Sequence, residues 1–233
     1  MNSLFSTQDF AMKTAIIFDF DYTLADSSKG VVACINYALQ SMGLPPRSWN
    51  ECCETIGLSL AAVYESLTGE NDPESVAMFH HLFIEKANQI MASSTELYTG
   101  VNDVIHRLAS SGFILGILST KFRYRICQIL DRYALTEQFS VIVGGEDVER
   151  HKPDPEGMYL ALSKAAVERE QAVLVGDSII DAETALRTGV DFVAVLTGTT
   201  SADQFTVFTP KAVLESVTEI EKFAEKQFSQ DRG

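Results

Sequence analysis

Short apolar runs alternate along this chain with stretches of helical periodicity, and most of the runs stop abruptly at polar residues. No other feature limits the possible folds so tightly. β-rich runs lie at 14–20, 113–119, 140–143, 172–176 and 192–196, with a weaker one at 212–214. Apolar residues recur at three- and four-residue spacing over 101–109, 123–133, 156–166, 180–188 and 217–228, the pattern of helices that bury one face. Repeated strand–helix–strand order implies a parallel sheet, because a parallel partner is reached only through a crossover, which the helix supplies. The predicted class is therefore α/β, with a doubly wound parallel sheet.

The rhythm breaks once. Roughly 90 residues separate the first two strands, far more than a crossover needs. Within that gap 30–42, 49–56, 60–67 and 74–91 read as helices, with breaks at 43–46, at Gly57 and at 69–73, where Gly and Pro interrupt the pattern. The expectation is an α-helical cap domain at 25–95, inserted into a Rossmann-like catalytic core formed by 1–24 and 96–233.

Bulk properties narrow the partners. The 233 residues are 46% apolar, ample for a core. A formal charge of −14 argues against nucleic acid or an anionic membrane, either of which would want clustered Lys and Arg. Residues 1–12 lack a basic start followed by an apolar segment, and no stretch is long enough to span a bilayer. A cytoplasmic protein, monomer or homodimer, acting on a small molecule is expected. Cys34, Cys52, Cys53 and Cys127 show no Cys-x-x-Cys spacing and read as structural thiols rather than a zinc site or disulfide framework.

The chemistry lies at the strand ends. The first run, Ala15-Ile16-Ile17-Phe18, ends in Asp19 and Asp21. Residues two apart on a strand share a face, and ionised groups are costly to desolvate, so two buried acids call for a cation. In a parallel sheet all carboxyl ends meet at one edge, where ligands bind. The same edge should receive Ser119, Thr120 and Lys121, then His151 and Lys152, then Asp177, Ser178 and Asp181. These groups suit phosphoryl transfer, which is mainly positioning and charge neutralisation. Asp19 can attack phosphorus as a carboxylate nucleophile, and Asp21 can protonate the leaving oxygen and then deprotonate water. Mg²⁺ on the carboxylates of Asp19 and Asp177 would offset the repulsion between acids and phosphate. Ser119 and Lys152, with Thr120 in the same turn, are the expected phosphate-binding groups.

Four motifs in this order resemble those of the haloacid dehalogenase-like hydrolases: Asp19-Phe20-Asp21-Tyr22-Thr23, Ser119, Lys152 in Lys-Pro-Asp-Pro, and Gly176-Asp177-Ser178-Ile179-Ile180-Asp181. The helical insert is similar to the cap of the phosphoglycolate phosphatase and β-phosphoglucomutase-like branch. The resemblance implies a Mg²⁺-dependent phosphatase working through an aspartyl-phosphate on Asp19. It also implies that Asp21 lends its main-chain carbonyl to the metal and that Asp181 supports the metal from behind the ligands. A phosphomutase or inorganic pyrophosphatase, and a catalytically silent regulatory or binding protein on the same fold, are the alternatives. Tyr22 departs from the pattern, since many members carry Gly there. The residue is read as a half-buried aromatic packed on the cap.

Several residues also have ordinary readings. Ser119 can cap the following helix, Asp181 can sit in a first turn for the helix dipole, and His80 and His81 can be packed or solvated. The default for Lys121, Arg123 and Arg125 is a helix face in water. Substrate choice is assigned to the cap. From 24 to 98 the only Lys or Arg residues are Lys29, Arg47 and Lys86, which favours a neutral or singly charged leaving group. Arg47 is the candidate specificity contact, and Gly57 marks a loop facing the active site.

Overall fold

The computed structural model describes residues 14–228; the reading of 1–12 and the outer ends of the core, at 1 and 233, lie outside it. In chain order the elements are β1 (Ala15–Phe18), β2 (Ala25–Asp26), α1 (Ser28–Ser41), α2 (Trp49–Cys53), α3 (Leu60–Thr68), α4 (Pro73–Ser94), β3 (Glu96–Leu97), α5 (Val101–Ser110), β4 (Ile114–Leu118), α6 (Arg123–Asp131), β5 (Val141–Val143), α7 (Glu156–Ala165), β6 (Ala172–Gly176), α8 (Ile179–Thr188), β7 (Asp191–Val195), α9 (Ala202–Phe205), β8 (Ala212–Leu214) and α10 (Ile220–Phe228).

Six strands form one sheet in the order β5-β4-β1-β6-β7-β8, with every pairing parallel. β1 sits inside, and the chain runs from it first to one side and later to the other. That reversal opens a crevice at the strands' carboxyl ends. Burial on both faces explains why β1 is apolar without alternation. Ile16 and Phe18 enter a cluster with α5, α6 and α10, while Ala15 and Ile17 face the opposite cluster under α7 and α8.

The segment between β2 and β3 builds a separate hydrophobic cluster, in which Ile35 and Leu39 of α1 and Val63 of α3 meet Phe79, Phe83 and Met91 of α4. Local signals set the helix ends. Asp72 accepts a hydrogen bond from the Ser75 amide at 3.0 Å ahead of Pro73, and Ser59 caps α3 through the Ala62 amide. Such caps contribute about 1 kcal/mol each. Where the chain enters and leaves this helical segment it forms a two-residue antiparallel ribbon, with Ala25 opposite Leu97 and Asp26 opposite Glu96. The ribbon was not foreseen, since two residues carry no readable period. Among the described residues no helix is long and apolar enough to cross a membrane.

Candidate active site

Strand register brings the motif residues together. Phe18 pairs with Ile117 on one side and Val175 on the other, and Leu118 pairs with Val143, so Asp19, Ser119 and Asp177 leave the sheet side by side. The Asp19 amide still donates to the Val175 carbonyl at 2.8 Å, and the Ser119 amide to Val143 at 3.0 Å. Lys152 enters from the loop before α7, and Asp181 from the first turn of α8.

These groups form one buried polar pocket. Lys152 Nζ lies 2.9 Å from Asp19 Oδ1 and 2.6 Å from Asp181 Oδ1. The contact to Asp19 is an ion pair, and no other side chain or amide donates to the buried Asp19 Oδ1 among the described residues. Asp181 does two jobs. Its Oδ2 accepts from the Ser178 amide and hydroxyl, and Ser178 Oγ accepts from the Asp181 amide, closing a capping box at the start of α8. Thr23 Oγ1 donates to Asp177 Oδ1 at 2.9 Å. Gly198 leaves no room behind Asp177, since a Cβ there would stand 2.0 Å from Asp177 Oδ2.

Burial pushes the Asp19 carboxyl up to about 7; Lys152 opposes that rise, and Asp181 and Asp21 add to it. Asp177 is raised well above the usual carboxylate range by burial and by Asp181 and Asp19. For Lys152 burial disfavours the ammonium, but Asp181 and Asp19 outweigh it and hold the lysine protonated. Asp19, Asp177 and Asp181 bring one carboxylate oxygen each within 4.8 Å of one another. Three acids share one lysine, every donor in the set is oxygen, and ionising all three together would leave negative charge that Lys152 alone does not offset. That donor set fits a hard divalent cation.

Asp21 turns the other way. Its Oδ1 accepts from Ser27 Oγ at 2.6 Å, its Oδ2 pairs with Lys121 Nζ at 3.0 Å, and it lines a cavity of about 230 Å³ between the sheet edge and the helical segment. Val31, Ile35, Leu60, Val63, Phe83 and Phe122 contribute to the mostly apolar wall. The 55–60 loop forms another side, with Gly57 at φ +98°, backbone that a side chain would strain. Thr120 Oγ1 donates to the Gly57 carbonyl at 3.1 Å, tying this loop to the core.

A sequence model of the haloacid dehalogenase-like hydrolases matches residues 16–195. The chain belongs to the haloacid dehalogenase-like hydrolases. It is similar to the phosphoglycolate phosphatase of Salmonella typhimurium, 27% identical over 226 residues that cover 88% of this chain and 90% of that one. It is also similar to pyrophosphatase PpaX of Bacillus velezensis, 26% identical over 207 residues covering 89% and 94%. Among solved structures, a haloacid dehalogenase-like hydrolase from Bacteroides fragilis superposes with a TM-score of 0.87 at 35% identity, over 89% of this chain and 99% of that one.

Within this hydrolase, Asp19, Lys152, Asp177 and Asp181 converge, while Ser119 stands at the neighbouring strand end with its hydroxyl accepting from the Lys121 amide at 3.3 Å. Thr120 is near them, but its hydroxyl is engaged by Gly57. Arg47 does not line the cavity; it pairs loosely with Glu51 at 3.8 Å. Its turn is instead held to α1 by two hydrogen bonds between Asn36 and the Arg47 backbone. The solvated-face expectation holds for Arg123, which pairs with Asp147 at the surface, and fails for its neighbours. Lys121 is buried against Asp21, and Arg125 is only 4% exposed, because the helical segment covers this end of α6.

Ser27 and Gly198 escaped the sequence reading, and Thr23 entered it only as the last residue of the first motif, with no role of its own. Tyr22 holds φ +60°, costing about 1 kcal/mol for a bulky residue. Its phenol is raised by burial and by the neighbouring Cys53 of α2, which places the side chain against the helical segment as expected.

Proposed function

We propose that the protein is a Mg²⁺-dependent phosphatase that hydrolyses a small phosphorylated metabolite through an aspartyl-phosphate on Asp19. The observation that carries this reading is the division of the acids: Asp19, Asp177 and Asp181 gather around Lys152, while Asp21 alone faces the cavity. A phosphoryl group at the first cluster would leave its ester oxygen toward Asp21.

In the first step an Asp19 carboxylate oxygen bonds to phosphorus, the bond from phosphorus to the ester oxygen breaks, and the Asp21 carboxyl gives that oxygen its proton. In the second, Asp21 takes a proton from water, the water oxygen bonds to phosphorus, and the Asp19–phosphorus bond breaks to release inorganic phosphate. Ser27 and Lys121 hold the Asp21 carboxyl in orientation between these steps. Lys152 and the Ser119 hydroxyl bind phosphoryl oxygens. The residues that would hold Mg²⁺ are Asp19, Asp177 and, by family resemblance, the main-chain carbonyl of Asp21, with Asp181 behind them. When bound, the ion supplies charge neutralisation at the phosphoryl oxygens.

We assign the helical segment 25–95 as a cap over a core of 1–24 and 96–233. The free thiols of Cys34, Cys52, Cys53 and Cys127 support a reducing, cytoplasmic setting. The mostly apolar wall of the cavity supports an organic leaving group over the inorganic pyrophosphatase alternative. Assay with an aryl phosphate and Mg²⁺ tests the reading. Turnover should vanish on chelation, and Asp19→Asn should lower kcat at least about 10³-fold while the protein stays folded. Near-native turnover by that variant removes Asp19 as nucleophile.

A further inference from the structure

The cavity beyond Asp21 has polar groups in its wall, and nearly all are already engaged. Thr55 donates to the Cys52 carbonyl, Ser59 caps α3, Thr120 donates to Gly57, and His151 bonds the Gly145 carbonyl. Lys121 is neutralised by Asp21. His80 stands exposed at the mouth.

Arg125 is different. It lines the cavity and is 4% exposed, yet no carboxylate among the described residues pairs with it. Its Nη1 donates to the Ala87 carbonyl at 2.7 Å, and its Nη2 to Asn88 Oδ1 and Tyr124 Oη, each at 2.8 Å. A guanidinium has five N–H donors, so Nε–H and one Nη1–H have no acceptor. A buried cation without a counter-ion is costly, and an incoming anion relieves that cost.

We propose that Arg125 is a specificity-determining residue that receives a carboxylate on the leaving alcohol of the substrate, while the apolar body of that alcohol fills the cavity. This rests on the phosphatase reading of the site. On the scale at which a cavity of about 150 Å³ takes a benzene ring, a cavity of about 230 Å³ holds a leaving group of roughly nine non-hydrogen atoms, larger than glycolate. The substrate class is thus a phosphorylated hydroxy acid with an extended aliphatic or aromatic body. Ala87 and Asn88 belong to α4, and Arg125 to α6, so the guanidinium that reads the carboxylate also ties the helical segment to the core. Binding of the leaving group and closure over it share one side chain.

The test compares two esters of similar size, 4-carboxyphenyl phosphate and 4-methylphenyl phosphate. Their binding to Asp19→Asn protein with Mg²⁺ is measured by calorimetry. The carboxylated ester should bind about tenfold or more tightly than the neutral one, as expected for a charge-assisted pair. Arg125→Met should bring the ratio close to one, and Arg125→Lys should keep part of it. Equal binding, weaker binding of the carboxylated ester, binding of neither, or a ratio that survives Arg125→Met overturns the proposal. The first comparison needs no change at Arg125, so a folding defect in the variants cannot mask the answer. If the ratio holds but the unmodified enzyme turns over neither ester, the phosphatase reading falls and the carboxylate site stands.

Discussion

The pockets on either side of Asp21 are built by opposite rules. On the sheet side, Asp19 and Asp177 at two strand ends, Asp181 in the first turn of α8 and Lys152 in the loop before α7 are crowded together. On the side of the helical segment, residues from α1, α3 and α4 line a mostly apolar space in which charge is confined to Asp21, Lys121 and Arg125. The first pocket is over-supplied with charge and under-supplied with counter-charge, which suits one demanding and invariant task, binding a phosphoryl group. The second offers volume and a single unpaired cation, which suits selection among leaving groups. Chemistry and specificity are thus separated by one side chain that touches both.

The separation can be broken experimentally. Gly198→Ala should have the largest effect, because the new Cβ would overlap Asp177 Oδ2. Mg²⁺ affinity should fall about 10–100-fold, the scale seen when the support of a metal ligand is disturbed, while the preference between carboxylated and neutral esters stays as it was. A change in that preference would show that the pockets are coupled.

A middle-sized effect concerns pH. The folded-state carboxyls of Asp19 and Asp177 are raised above their unfolded values, so the folded state holds their protons more tightly. The stability they contribute is present below about pH 4 and is lost as pH rises toward about 7, where Asp19 ionises. Melting curves of metal-free protein should therefore show this contribution shrinking across that window. Mg²⁺ should raise Tm more at pH 8 than at pH 5. A Mg²⁺ effect independent of pH would mean that the acids are not what the cation relieves.

The smallest effect belongs to Arg47→Ala. A half-exposed pair at 3.8 Å contributes at most a few tenths of a kcal/mol, so kcat/KM for either ester should stay within about twofold and Tm nearly unchanged. A tenfold loss would return Arg47 to the site and weaken the contrast with Arg125.

Much of this molecule was legible before any coordinates. All six strands of the sheet stand where apolar runs were read; those buried on both faces cannot hide their composition, and only β8, half-exposed at the edge, read weakly. Asp19, Ser119, Lys152 and Asp177 were legible because a parallel sheet sends every carboxyl end to one edge. Lys121 and Arg125 were not, because helical periodicity describes a helix alone and says nothing about what covers it. The misreading of Arg47 has the same root: position within the insert does not tell which end faces the core.

The sequence by itself determined the α/β order, the insert and the identity of the groups at the sheet edge, because these depend on local periodicity and on the polarity of strand ends. Only the tertiary structure decided which groups are partnered. Thr23 reaches Asp177 across 154 positions of chain, Lys152 divides itself between Asp19 and Asp181, and Arg125 is buried with no acid paired to it among the described residues. Pairing of charges depends on distance and burial in three dimensions, and neither quantity is encoded in residue spacing.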